Sequence, residues 1–331
     1  HRSVFFARSI INPLPSLPKI YSVFAYKTVQ MKPVQQHNMQ GMLLLLFASF
    51  CFSIMSVLIR SASETTNNAP IVFFRNFYSL LLLIPFISGK IWFRSLYHPN
   101  VIRLHLIRSI TGLAAMYCFF LAIAKLKLST AMIFPYSASL FIPMIAFFWL
   151  REKTNIPTLF YIGLCFIGVL LVIRPDQTMI NWIALLGLIS SFLTAMAMVS
   201  IRLLGRTESA QHIAFSFTLI STIISLPFYL FDYQPLNLQQ HILLAGIGML
   251  ASIAQLALSR AYSIAQQAGS IAVIPYTAII FAGIWAYLLW QEIPTFSDIT
   301  GITLIIIASL LTVLLHHRSK KKAQEEIAIL D

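Results

Sequence analysis

Apolar residues in this chain gather into long runs, and polar residues gather between them. Ten runs reach the roughly 20 mostly apolar residues that a helix needs to cross a bilayer. They cover about 41–59, 70–88, 104–124, 128–149, 157–173, 179–201, 211–230, 241–260, 268–290 and 297–315. The connections are short and hold most of the charge. The pattern predicts an all-α integral membrane protein of ten transmembrane helices.

The pattern also repeats. Residues 48–60 (ASFCFSIMSVLIR) align without gaps with 190–202 (SSFLTAMAMVSIR), so Ser49, Phe50, Val57, Ile59 and Arg60 recur as Ser191, Phe192, Val199, Ile201 and Arg202. Pro85-Phe86 recurs as Pro227-Phe228 at the same offset. Further on, Pro135-Tyr136 recurs as Pro275-Tyr276, and Glu152 recurs as Glu292 at one shared offset. Several pairs in register and in order point to duplication. Each unit holds five helices, an odd number, so matching residues fall on opposite sides of the bilayer. The expected architecture is two inverted-topology five-helix repeats, 41–174 and 179–315. Such repeats mark secondary transporters, in which one half can adopt the other's conformation.

Composition agrees. Hydrophobic residues make up 58% of the 331 residues, charged residues only 10%, and the mean hydropathy is +0.81. A soluble domain carries roughly 25% charge, so lipid is the expected solvent. The net charge of +13 raises nucleic acid as a partner. Lys and Arg sit between the apolar runs, however, and not along one face or stripe, which argues for no nucleic acid. Counted over alternate loops and the C-terminal tail, twelve fall on one side and four on the other. The positive-inside rule then puts both termini in the cytoplasm, with the helices in an inner or plasma membrane. Residues 1–40 hold five basic residues, no acidic one and four prolines. They are set aside as a disordered or transit-like leader, or as an over-extended start ahead of Met31 or Met39. Residues 316–331 form a solvated cytoplasmic tail. Cys51, Cys118 and Cys165 lie within runs, match no metal or redox spacing, and are expected to pack.

Each half resembles the EamA-type repeat of the drug/metabolite transporter superfamily. Arg75 in the second run carries the resemblance, with the segment from Arg108 to Lys153 and its counterpart from Arg260 to Glu292. Both halves keep a proline in the fourth helix, an apolar run, and a glutamate at the helix end. The resemblance covers roughly 41–315, and the first half's third and fourth helices are most similar to S-adenosylmethionine and riboflavin carriers. It implies a carrier working by alternating access, with a central cavity lined mainly by helices 1, 3, 4, 6, 8 and 9. Substrates across the superfamily include amino acids, nucleotide-sugars, purines, riboflavin, S-adenosylmethionine and drugs.

Candidate chemistry lies in the runs themselves. Pro135 and Pro275 sit at matching places, where each removes a helix hydrogen bond, and they are the candidate kinks or gates. Packing kinks that bind nothing are the plain alternative. Tyr136 and Tyr276 follow them, and a buried hydroxyl needs a partner. Gln255 lies near mid-membrane, where its amide must face protein or a wet cavity. Ser53 and Ser191 offer hydroxyls that their own helix backbone can also satisfy. Arg75 and Arg108 each lie about a turn and a half from a helix end; they either snorkel to the interface or hold a carboxylate or phosphate. Tyr117 is half a turn from the Arg108 face, so the two are not expected to share a site.

No Asp or Glu falls in the middle of a run. A buried carboxylate relay is therefore not expected, and exchange or facilitated flow gains weight. Eight histidines lie in loops, at helix ends or in the leader, which argues against an embedded enzyme. No Walker-type phosphate loop occurs. No large soluble loop supports a receptor or scaffold. The reading is a secondary transporter of a small polar metabolite, such as an amino acid, S-adenosylmethionine or riboflavin. It is not an enzyme and needs no cofactor and no metal; homodimerisation is left open.

Overall fold

A computed structural model describes residues 34–86, 99–150, 182–205, 207–264, 274–293 and 295–308, with scattered positions between 160 and 171 and residue 311. Most of the leader, Glu152, most of the fifth run and the tail lie outside these. The described helices are α1 (Val34–Ala62), α2 (Asn68–Leu83), α3 (Pro99–Lys125), α4 (Ile133–Leu150), α5 (Trp182–Leu204), α6 (Ala210–Phe231), α7 (Leu238–Ile264), α8 (Thr277–Trp290) and α9 (Phe296–Ala308).

Local chemistry sets several boundaries. Asn237 and Gln240 exchange side-chain-to-backbone hydrogen bonds at 2.8 and 2.9 Å, a capping box that starts α7. Ser209, extended at φ −74°, accepts from the His212 amide and starts α6. At the end of α8, Gln291 takes the left-handed conformation at φ 53°, and Glu292 N–H donates back to the Ala286 carbonyl. Α1 begins at Val34, several residues before the first apolar run, because the polar segment ahead of it continues the helix.

Among the described residues, five helices are long and apolar enough to span a bilayer: residues 39–62 within α1, 101–125 within α3, α5, α6, and 238–258 within α7. The segments Ile274–Trp290 and Phe296–Ala308 are shorter apolar helices. Phe148, Leu230 and Phe231 are exposed on the outside, where a water-soluble protein would place charge. The chain is an all-helical membrane protein.

The two halves interleave. Α1 packs chiefly on α7 and α8, while α5 packs chiefly on α3 and α4. Α2 meets α6 directly; α2 also meets α7, as α6 meets α3. Exchanging the halves turns each of these contacts into another on the same list, so the duplication read from the sequence is present in the packing. Gly248 shows how closely the halves approach: a side chain there would meet the Arg75 carbonyl and the Ser79 amide at 3.0 and 3.1 Å. The small residue lets α7 lie against the backbone of α2. Beside it, the Ser79 and Ser252 hydroxyls are 2.5 Å apart.

One expected helix is broken. The fourth run was expected as a single span from 128; the chain instead makes a turn at Leu128–Ala131, breaks at Met132, and starts α4 at Ile133. Pro135 is thus third in α4, and Pro275 sits in a 3-10 turn, Ile274–Tyr276, just ahead of α8. A proline in a first turn loses no helix hydrogen bond. Pro135 therefore sits in the first turn of α4, and Pro275 in the turn that leads into α8.

Candidate functional site

Arg75 lies seven residues into the 16-residue α2, and Arg108 nine residues into α3. Both depths are well inside their helices. Both side chains are half-buried. The two guanidinium groups converge on the ring of Phe217 in α6, with Arg108 Cζ 4.0 Å and Arg75 Cζ 6.0 Å from its centroid. Gly112, one turn beyond Arg108, makes this fit: a side chain there would collide with Arg108 Nη1 and Phe217 Cε2. Arg75 Nη1 donates to Asn76 Oδ1 at 3.0 Å, and Asn76 Nδ2 is held by the Val72 carbonyl at 2.8 Å.

These contacts leave the positive charges uncompensated. The Nε atoms of both arginines are buried without a hydrogen-bond partner. Among the described residues, no carboxylate stands within ion-pair distance of either guanidinium. Taking an unpaired charge out of water costs several kcal/mol, so two such groups on one ring make a strong attractor for an anion.

A cavity of about 230 Å³ opens beside Arg108. Arg108, Gln255 and Glu208 supply its polar walls, and Ile201, Ile213 and Ala214 its apolar ones. Gln255 thus faces the cavity, as mid-membrane placement requires of an amide. Glu208 is a departure from the sequence reading. It lies in the short connection between α5 and α6, where Glu208 N–H donates to the Leu204 carbonyl at 2.9 Å. That tight turn folds its carboxylate inward, and His105 Nε2 donates to Oε2 at 2.8 Å. A buried carboxylate therefore exists. No acidic residue in a run announced it, because it enters from a loop.

The remaining predicted residues form a second group. Tyr136 and Tyr276, equivalent by repeat, meet with ring centroids 5.3 Å apart. Ser191 Oγ donates to the Phe134 carbonyl at 2.7 Å, tying α5 to α4. Ser53 Oγ donates to the Phe50 carbonyl at 2.7 Å and accepts from Trp285 Nε1 at 3.3 Å. Arg75, Arg108 and Gln255 thus belong to the α2–α3–α6–α7 side, and the tyrosines and serines to the crossings of α1 with α8 and α5 with α4. Phe217, Glu208 and His105 are the site residues that sequence reading missed. Only the charge of Glu208 gave a signal.

A third cluster closes the far end of α3. Arg60 Nη2 pairs with Glu292 Oε1 at 3.2 Å, and Arg60 Nη1 donates to the carbonyls of Ile123, at 2.9 Å, and Leu126. Glu292 Oε2 accepts from the Leu128 amide at 2.8 Å, and Lys127 Nζ donates to the Ile293 carbonyl at 3.2 Å. One ion pair thereby locks α1, α8 and the α3–α4 connection together.

Comparison with known proteins gives consistent results. The EamA-like transporter family matches the chain twice, over residues 39–174 and 181–314. The pseudopaline exporter of Pseudomonas aeruginosa is 31% identical over 270 residues, which are 81% of this chain and 94% of that protein. An S-adenosylmethionine uptake transporter of Rickettsia bellii is 23% identical over 261 residues, 77% of this chain and 86% of that one. A crystal structure that is 14% identical shares the fold with a TM-score of 0.56, covering 84% of this chain and 98% of that chain.

Proposed function

We propose, on the premise that this chain belongs to the EamA-like transporter family, that it moves a small polar metabolite by alternating access and holds an acidic group of that metabolite between Arg75 and Arg108. Membership makes the chain a membrane transporter and not an enzyme. The observation that carries the finer reading is the pair of half-buried arginines on Phe217, with no described carboxylate within ion-pair distance of either, and with Arg108 bordering a cavity. Amino acids and S-adenosylmethionine each carry a carboxylate and suit such a site. The relatives named above are an exporter and an uptake transporter, so neither direction carries over.

In this reading the ten runs are ten spans in two inverted repeats, with both termini cytoplasmic. Contacts between connections support the topology. Gln240 donates to the Thr65 carbonyl and Thr66 hydroxyl at 3.2 Å, and Asn67 Nδ2 to Asp232 at 2.8 Å. Each contact joins loops that the topology puts on the outer side, as does Arg60–Glu292. His105–Glu208 joins two segments on the inner side. These contacts hold the outer end together in this conformation.

Counterflow in proteoliposomes, with a panel of amino acids, S-adenosylmethionine, riboflavin and small carboxylates, tests the reading. Saturable exchange of a member bearing an acidic group is expected, falling at least tenfold in Arg108→Gln and in Arg75→Gln. Undiminished exchange by the folded double variant would remove the arginines from the site. Absence of saturable exchange for every member would remove the transport reading of this panel's substrate class.

A further inference from the structure

The His105–Glu208 pair has a chemistry that the anion site does not use. The two side chains are 6% and 5% exposed and joined at 2.8 Å. An ionised carboxylate can only accept, so His105 Nε2 carries the hydrogen and donates it. In the neutral imidazole, Nδ1 is then a bare lone pair. Nδ1 is buried and has no partner, and neither has the second carboxylate oxygen, Oε1. A neutral imidazole with an empty acceptor nitrogen, held against a carboxylate, is a ready seat for one proton.

Its surroundings tie that seat to the anion. Glu208 and Arg108 line one cavity, so an anion entering beside Arg108 meets the negative charge of Glu208 across it. Other charged or titratable groups come from each helix nearby. Arg103 and Arg108 lie on α3, Arg202 on α5, His212 on α6, Arg75 on α2 and Arg260 on α7. Arg103 is exposed and His212 is buried. Glu208 is the acidic group among them. A proton on the pair takes its net charge from minus one to zero and removes the opposition to the anion.

We infer that His105 and Glu208 form the proton-binding site of this carrier, and that a proton there and an anion at Arg108 bind together. This rests on the anion reading of Arg75 and Arg108. One proton from water bonds to His105 Nδ1, no bond to the substrate forms or breaks, and the loaded site gains no net charge. Coupling of this kind is reciprocal: the anion raises proton affinity by the same factor as the proton raises anion affinity.

Isothermal titration of the full-length carrier in detergent measures both. The probes are oxalate, malonate, succinate, citrate, glutamate and inorganic phosphate, each titrated in two buffers of different ionisation enthalpy. For a probe that binds, net uptake reaching about half a proton is expected, with affinity falling roughly tenfold between pH about 6 and about 8. His105→Gln and Glu208→Gln are expected to bind the probe with no proton uptake and a flattened pH profile. Probe binding by the wild type with no proton uptake, or with proton release, overturns the coupling while leaving the anion site standing. So does uptake retained in both variants. If no probe binds the wild type, the anion reading itself fails and the coupling falls with it. Phosphate and citrate themselves titrate in this range, so the wild-type proton count with oxalate or glutamate decides the matter even where a variant does not fold.

Discussion

The molecule contains the same helix crossing twice, once tight and once loose. Where α5 crosses α4, Ser191 reaches the Phe134 carbonyl at 2.7 Å, and the Phe134 ring occupies the space that a side chain on Gly187 would fill. Where α1 crosses α8, the repeat-equivalent residues are Ser49, Ile274 and Leu45. There Ser49 comes only to 3.5 Å from the Ile274 carbonyl, and Leu45 shares a buried cluster with Ile274. One substitution between the halves accounts for the difference, since glycine lets two helices close and leucine holds them apart. A duplicated motif held in two forms at once is what alternating access by inverted repeats calls for.

The comparison can be broken most strongly at Gly187. Gly187→Leu forces the Phe134 ring out of its seat, and overpacking of this kind costs about 1–3 kcal/mol. Thermal unfolding in detergent should show the loss, and adding Phe134→Ala should recover part of it. Next is Glu292→Gln, which strips Arg60 of its charged partner on the loose side. A loss of about 2 kcal/mol is expected for a hydrogen bond to a charged group. A cysteine placed at Lys127, in a background without the native cysteines, should then react faster with a thiol reagent.

The serines sharpen the comparison at smaller scale. Ser191→Ala should cost about 1 kcal/mol, whereas Ser49→Ala should cost close to nothing, because only Ser191 makes a short bond. Equal losses would mean that the two crossings do not differ in strength. A small effect of opposite sign is expected at Gln291, whose left-handed backbone suits glycine. Gln291→Gly should gain up to about 1 kcal/mol and steady the turn that aims Glu292 at Arg60.

Much of this arrangement was legible in the sequence. The offsets linking Ser49 with Ser191 and Tyr136 with Tyr276 reappear as exchanged contacts in the structure, because duplication preserves which face of a helix is buried. The break at Met132 was not legible, since Met132 lies between apolar residues, Ala131 and Ile133, and hydropathy does not register where one helix ends and the next begins. The convergence of Arg75 and Arg108 was also hidden. It depends on how α2, α3 and α6 pack, and the shared platform, Phe217, looks like any lipid-facing phenylalanine. Glu208 was hidden for a different reason: a loop charge is ordinarily solvated, and only the turn from Leu204 to Ser209 folds this one inward. Arg60 and Glu292 were each seen as helix-end residues, but their union needed the α1–α8 crossing.

The central claim is that the two ends of the bundle open and close in opposition. Paired spin labels test it without a substrate. One pair sits at Thr65 and Ile293, near the Arg60–Glu292 lock, and the other at Arg103 and Gln211, near His105–Glu208; all four positions are exposed. Distances are measured in nanodiscs for the parent chain and for Arg60→Gln. The account predicts that the variant lengthens the Thr65–Ile293 distance and shortens the Arg103–Gln211 distance in the same population. Lengthening at the first end with no change at the second, or movement of both in the same sense, would contradict it.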